Sequence, residues 1–394
     1  MQSFTFHCST KLVYGASSLN ELDKHLALYP YRSFLVVTGS SATRNSPGFA
    51  RLLQILESQG YAYTIFSSVT PDPTADIVRE AANQITKNKH EAVIAYGGGS
   101  PIDCAKSAAL MASNNIDIME FVLVKQTPQK PALPVIAIPT TAGTGSEMSA
   151  AAVTTDPVTK RKIGLSHPSY FPVLSIVDPE LHTSMPFSLT AATGMDALTH
   201  VLESWFSLGA NPVSDSINAV NINLIGNNLV SACNKPDNIQ ARSAMAYASA
   251  TAGMAFSNTG LGMVHGFAHP LGALYGVPHG IANAVMLPYV FAAMKNQLAH
   301  KMTGLLTCSI VTDQTFALTS PENLIQGILA LRRTLHIPMS LKELGLSRKD
   351  IEPVHSDACT YRMRPRSPRQ FTDQELFEII ISAYEGDIDK AYSI

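Results

Sequence analysis

Short apolar runs alternate with amphipathic stretches through the first half of the chain. Phe34-Leu35-Val36-Val37 and Ala92-Val93-Ile94-Ala95-Tyr96 are continuous apolar segments of the kind that buried strands require, and Ala62 to Phe66 reads as extended. Between them, Ala50 to Glu57 and Thr74 to Thr86 carry apolar residues at helical spacing. Pro134-Val135-Ile136-Ala137-Ile138 and Val173-Leu174-Ser175-Ile176-Val177 add two strands, and Ala152 to Leu165, with Thr155-Asp156-Pro157 at its centre, reads as a hairpin. Residues 1–15 alternate and predict a short strand pair at the edge of the first domain. Strand and helix in alternation give a parallel sheet with helices on both faces. After Asp178-Pro179 and Pro186 the chain becomes rich in Ala, Leu, Met and Asn, and the pattern turns helical. The expected boundary lies between Thr183 and Pro186, with an α/β domain over 1–184 and an all-α domain over 185–394.

Two of the predicted strands end in loops suited to an anion. Ala92 to Tyr96 runs into Gly97-Gly98-Gly99-Ser100-Pro101-Ile102-Asp103, where glycines let backbone N–H groups approach a phosphate. Ser100 reads as the helix N-cap, Pro101 as the first helical residue, and Asp103 as the partner in a capping box. The second loop, Pro139-Thr140-Thr141-Ala142-Gly143-Thr144-Gly145-Ser146-Glu147, offers three threonine hydroxyls and a serine beside two glycines. Two such loops at the ends of parallel strands mark a nucleotide crevice, so the first domain is expected to be a Rossmann-like dinucleotide-binding domain.

The helical half carries the second chemical signal. Asp196 and His200 are four residues apart, one helical turn on a shared face, which makes a bidentate clamp for a metal. His265 and His269 repeat the spacing, and His279 follows at the predicted start of another helix. Three of the twelve histidines thus fall between 265 and 279 in apolar, glycine-rich surroundings, where an unpaired ring would be costly to bury. Imidazole nitrogen with one hard oxygen suits a divalent transition metal.

Composition narrows the partners. Charged residues make up 15% of the 394-residue chain against roughly 25% in an average globular protein, so a homodimer or larger homo-oligomer is expected to cover part of the surface. A formal charge of −2 without a long basic tract disfavours nucleic acid and anionic membranes, and favours a small-molecule substrate. No uncharged run reaches the roughly 18 residues of a membrane span. Five dispersed cysteines without C-x-x-C spacing read as reduced thiols in the cytoplasm.

Four motifs then resemble one family, the iron-containing (group III) alcohol dehydrogenases: GGGSPIDCAK at 97–106, IPTTAGTGSE at 138–147, TGMDALTHVLE at 193–203 and GMAFSNTGLGMVHGFAHPLGALYGVPHGIANAVMLP at 253–288. The last stretch is most similar to members that interconvert lactaldehyde and propane-1,2-diol. The resemblance implies the dehydroquinate synthase-like fold of that family and a reversible hydride transfer between a nicotinamide cofactor and a small alcohol or diol. It implies that Asp196, His200, His265 and His279 hold the divalent metal, iron in most members and zinc in some. It also implies that His269 sits beside the metal without necessarily binding it and that Phe256 lines the substrate pocket; in the hydride transfer, His269 or a water chain ending on it would pass the proton to solvent. Gly97, Gly98, Gly99 and Ser100 would bind the pyrophosphate, Thr140, Thr141 and Thr144 the phosphate and nicotinamide side, and Lys162 a ribose hydroxyl.

Two departures from the family pattern bear on cofactor and substrate. Members that prefer NAD commonly place an acid after the first Rossmann strand to accept from the adenosine ribose. This chain has Thr38 and Gly39 there, with Arg44 nearby, so NADP(H) is open beside NAD(H). The second departure is Tyr361 to Arg369, whose four arginines, Arg362, Arg364, Arg366 and Arg369, read either as a solvated loop or as a site for an anionic aldehyde. Two other readings compete with the dehydrogenase. One is a non-redox enzyme resembling dehydroquinate synthase, and the other is an assembly protein with a structural metal, although structural sites are usually closed and cysteine-rich.

Overall fold

The computed structural model describes residues 3–39 and 41–394; Met1 and Gln2 of the predicted N-terminal strand pair, and Ser40, lie outside the described residues. The chain divides into two compact units, His7–Ser184 and Met185–Ile394, the latter also taking in the segment up to Phe6.

In the first unit six strands form one sheet: β1 (Lys11–Tyr14), β2 (Ser33–Gly39), β3 (Ala62–Val69), β4 (Ala92–Gly97), β5 (Val135–Pro139) and, after the hairpin strands β6 (Ala151–Thr155) and β7 (Lys162–Ser166), β8 (Leu174–Val177). Their order is β1-β8-β5-β4-β2-β3 and all pairings are parallel. Side chains of a strand alternate between its faces, so Phe34 and Val36 join one core and Leu35 and Val37 the other. The first core is closed by Leu52, Ile55 and Leu56 of the Pro47–Ser58 helix. The second is closed by Val78 and Ile85 of the Ala75–Asn88 helix and by Ala105 and Ala108 of the Gly99–Asn114 helix. Burial on both faces explains why these strands are uninterrupted apolar runs in the sequence.

Among the described residues, the N-terminal strand pair expected over residues 1–15 does not form. A single strand, β1, instead pairs in parallel with β8, from Lys11↔Leu174 to Tyr14↔Val177. It covers an edge that β8 would otherwise leave open, which a local hairpin would not do. The predicted hairpin is present, with β6 (Ala151–Thr155) antiparallel to β7 (Lys162–Ser166) and Thr155 opposite Lys162. Its turn is fixed by the Asp156 carboxylate, which accepts from Val158 N at 2.9 Å and Thr159 Oγ1 at 2.7 Å.

Behind the sheet, His90 bridges two strands with Nδ1 2.8 Å from Ser33 Oγ and Nε2 2.7 Å from Thr64 Oγ1. Burial lowers its pKa, so the folded state favours the neutral ring. The unfolded chain takes up the proton first as pH falls through about 6.5, which makes this contribution present at neutral pH and lost on acidification. The melting temperature of the parent is therefore expected to fall more steeply below pH 6.5 than that of His90→Gln; parallel curves from calorimetry would rule out this linkage.

The second unit is built on long helices, including Phe187–Phe206, Pro212–Asn234, Ile239–Thr259, Met263–Tyr275, His279–Ala293 and Pro321–Thr334. Their starts are specified locally: Asn211 caps the second with a reciprocal capping box and Pro212 at its first position, and Asn238 caps the third. The all-helical expectation needs one correction, an antiparallel pair of Ser309–Ile310 with Phe316–Ala317. Two residues per strand are too few to leave a period in the sequence. No helix among the described residues is long and apolar enough to cross a membrane.

Candidate functional site

Three helices of the second unit converge on the acid and histidines. Asp196 and His200 project from one face of Phe187–Phe206, His265 lies in the first turn of Met263–Tyr275, and His279 opens His279–Ala293. The last helix approaches closely because residue 280 is glycine: a Cβ there would stand 2.1 Å from Ala192 O and 3.3 Å from Asp196 Cβ. One ligating atom from each of Asp196, His200, His265 and His279 lies within 4.8 Å of all the others. His265 Nε2 is 3.1 Å from His200 Nε2, and His279 Nε2 is 3.6 Å from Asp196 Oδ1. Asp196, His200 and His265 are buried, whereas the His279 side chain keeps 29% of its exposure and marks the open side.

Such an arrangement suits a cation and little else. Facing Nε2 atoms crowd their lone pairs together, and burial lowers the His265 pKa to about 3, which holds its ring in the neutral, ligating form. Asn283 donates through Nδ2 to Asp196 Oδ1 at 2.7 Å and also stands 3.1 Å from His265 Nε2 and 3.2 Å from His279 Nε2. Two amide hydrogens cannot serve three acceptors well, and its buried Oδ1 has no hydrogen-bond partner among the described residues. A divalent ion on the three imidazoles and the carboxylate would relieve that crowding, so the residues present fit the metal.

Aromatic rings close the sides of the cluster. Phe256 stacks on His200 with centroids 4.8 Å apart, and His269, outside the four-residue group, lies 6.1 Å from His265 and 5.7 Å from His279, with Tyr361 edge-on at 5.5 Å. Sequence reasoning assigned no role to Glu203, Asn283 or Tyr361. The spacing signal for the first was available, because Glu203 is three residues past His200 and seven past Asp196 on the same helical face. Its carboxylate is fully buried, accepts from Val264 N at 2.7 Å and lies 2.5 Å from His265 Nδ1. Burial raises its pKa to about 7.

The first unit brings its two loops together. Thr140 N donates to Gly97 O at 2.9 Å, a Cβ on Gly98 would meet Thr141 Oγ1 at 3.1 Å, and one on Gly99 would meet Thr144 Cγ2 at 2.7 Å. Gly97 adopts φ +150°, and a Cβ there would meet Pro101 Cγ at 2.8 Å, so glycine is required on both counts. These glycines thus let one loop lie on the other as well as leaving backbone exposed. A Gly99→Ala replacement is expected to raise the dinucleotide KM about tenfold while metal content stays at the parental level, checked by steady-state kinetics and elemental analysis.

The capping expectation is corrected. Gly98, not Ser100, is the N-cap of Gly99–Asn114, which therefore begins without a side-chain cap. Ser100 Oγ accepts instead from Asp72 N at 3.2 Å, and Pro101 sits at the third helical position. Asp103, also expected among the cofactor-binding residues, turns inward, where its Oδ2 accepts from Val153 N at 2.9 Å and braces the hairpin strand. Glycine can start a helix without a side-chain oxygen, and doing so leaves the first N–H groups open to an anion. Lys106, fully buried, ties down the second loop through Ser146 O at 2.6 Å, Ser149 O at 2.9 Å and Ala151 O at 2.8 Å. Lys162 pairs with Asp72 at 2.8 Å, Thr38 is fully buried in β2, and Gly39 is partly exposed at the strand end.

Two arginines of the 361–369 loop are paired with acids. Arg364 pairs with Asp373 at 2.7 Å and bonds Cys359 O, while Arg369 pairs with Glu375 at 2.5 Å and reaches Ile394 O. Those acids lie a few residues downstream and return to the loop only through the cap of the Asp373–Glu385 helix.

Comparison with known proteins follows the same division. Residues 9–179 match the family profile described as iron-containing alcohol dehydrogenase, and residues 190–384 match the Fe-containing alcohol dehydrogenase family, C-terminal. Alcohol dehydrogenase 4 of Saccharomyces cerevisiae (strain YJM789) is 36% identical over 379 residues, covering 94% of this chain and 96% of the yeast protein. Lactaldehyde reductase of Escherichia coli (strain K12) is 31% identical over 374 residues, covering 94% and 97%. Among solved structures, a 1,3-propanediol oxidoreductase superimposes with a TM-score of 0.90 at 33% identity, covering 97% of this chain and 100% of that one.

Proposed function

The chain belongs to the iron-containing alcohol dehydrogenase family, and on that premise we propose that it is a metal-dependent oxidoreductase exchanging a hydride between NAD(H) or NADP(H) and a small primary alcohol or diol. The convergence of Asp196, His200, His265 and His279 within 4.8 Å is the observation that carries this reading. A divalent ion held there, Fe2+ first and Zn2+ second, would polarise an alcohol or aldehyde oxygen, and the nicotinamide would give or take the hydride.

The protein's own groups do the rest. Asp196, His200, His265 and His279 hold the ion, and Phe256, packed on His200, gives the cluster an apolar side. His269 carries the proton between the substrate hydroxyl and solvent. Gly97, Gly98, Gly99 and Ser100 present N–H groups at the helix start to the pyrophosphate, Thr140, Thr141 and Thr144 offer hydroxyls, and Lys162 and Thr38-Gly39 address the riboses.

Of the four arginines that could receive an anionic aldehyde, Arg364 and Arg369 are already committed to Asp373 and Glu375, which favours a neutral alcohol. Lactaldehyde reductase and 1,3-propanediol oxidoreductase, both similar to this chain, carry small diol-related substrates in their names. The low charged fraction and dispersed thiols support a cytoplasmic homo-oligomer. Following reduced-nicotinamide absorbance with metal-free protein reconstituted with Fe2+ or Zn2+, against propane-1,2-diol, short primary alcohols and their aldehydes, tests the reading. Turnover that requires both metal and dinucleotide supports it; tight metal binding with no turnover of any pair overturns it in favour of a structural site.

A further inference from the structure

We infer that Glu203 is a positioning residue for the metal, acting through His265. The inference rests on the metal-dependent reading above. Four observations meet at this carboxylate. It is buried on the same face of Phe187–Phe206 as Asp196 and His200, so one helix supplies two ligands and the group behind a third. Oε2 lies 2.5 Å from His265 Nδ1. Oε1 accepts from Val264 N at 2.7 Å, which places negative charge at the N-terminus of the Met263–Tyr275 helix and fixes the Met263–Val264 peptide, one residue ahead of His265. Gly262 makes the room, since a Cβ there would stand 2.9 Å from Glu203 Oε1.

The consequence concerns the histidine tautomer. His265 Nε2 faces His200 Nε2 at 3.1 Å and is the atom turned toward the other ligands. That nitrogen can ligate only if the ring proton sits on Nδ1, and a carboxylate accepting from Nδ1–H keeps it there. With both Glu203 oxygens committed, one to the ring and one to the helix start, the imidazole plane is held in place before any ion arrives.

Glu203→Gln separates this role from packing. Glutamine has nearly the same shape but one acceptor oxygen. If that oxygen keeps the Val264 N–H, its NH2 group faces His265 Nδ1 and donates to it, which drives the ring proton onto Nε2 and blocks ligation. The test is Zn2+ affinity of the full-length metal-free protein, measured by competition with a chromogenic chelator. Circular dichroism and melting of the metal-free forms are recorded alongside.

Expected is a 10- to 100-fold weaker Zn2+ affinity for Glu203→Gln with the fold retained. In a His265→Ala background the same change should add less than twofold, because the path through the ring is already cut. Affinity within twofold of the parent in the single variant, or full loss added in the double variant, would overturn the inference. Should Glu203→Gln melt in the metal-free state, Glu203→Asp, which keeps both acceptors on a shorter arm, replaces it, and the same double-variant comparison decides. A parent that binds no Zn2+ would instead sink the metal-dependent reading itself, so the two failures are distinguishable.

Discussion

His265→Ala is expected to lower metal-dependent alcohol oxidation by about a thousandfold or more, with the protein still folded. Loss of one donated hydrogen bond to a developing oxyanion already costs about 10²- to 10³-fold, and a misplaced cation removes a larger stabilisation. The neighbours sharpen the effect. Without this ring, His200 and His279 lose the donor that stands between them, and the buried Glu203 carboxylate loses its partner. Initial rates at saturating dinucleotide, with bound metal measured on the same samples, check the prediction. Retention of parental kcat/KM alongside parental metal content would remove His265 from the reaction.

Gly39→Asp is expected to move cofactor selection toward NAD(H), lowering the ratio of kcat/KM for NADP to that for NAD by about a hundredfold. A carboxylate at this strand end would accept from a ribose hydroxyl and repel a 2′-phosphate, and two like charges brought together cost several kcal/mol, where about 2.7 kcal/mol is a hundredfold. The backbone permits the change. Gly39 is outside the left-handed region, and an added Cβ would find Thr43 Oγ1 at 3.6 Å, Pro101 Cγ at 3.9 Å and Val69 O at 3.9 Å, all ordinary contacts. Glycine here is therefore not imposed by a tight turn. Arg44 is exposed five residues on, at the end of the short Ser41–Arg44 helix. An unchanged ratio in steady-state kinetics with both dinucleotides would place the adenosine ribose elsewhere.

Much of this was legible along the chain because its causes are local. Buried strands such as Ala92–Gly97 read as apolar runs since both faces meet helices, and the i, i+4 spacing of Asp196 and His200 is a property of one helix wherever it packs. Capping was misread at Ser100 for an equally physical reason. The sequence shows which residues are able to cap, but the Asp72 amide that competes for Ser100 Oγ arrives from a strand end 28 residues away. The partners of the arginine loop were hidden likewise, since Asp373 and Glu375 fold back onto it only when the next helix is in place.

By itself, then, the amino-acid order determined the alternating α/β half, the helical half, the glycine and threonine loops, and five candidate metal ligands, Asp196, His200, His265, His269 and His279, because periodicity, turn chemistry and donor type act over a few residues; only the family resemblance set His269 apart from the other four. Tertiary structure decided what depends on atoms far apart in the chain meeting within about 3 Å. That includes the Glu203 carboxylate behind His265 across 62 residues, and Asn283 on Asp196 across 87. Hydrogen bonds and metal ligation fall off over less than an ångström, so no pattern along the chain fixes which distant partners meet until the helices pack.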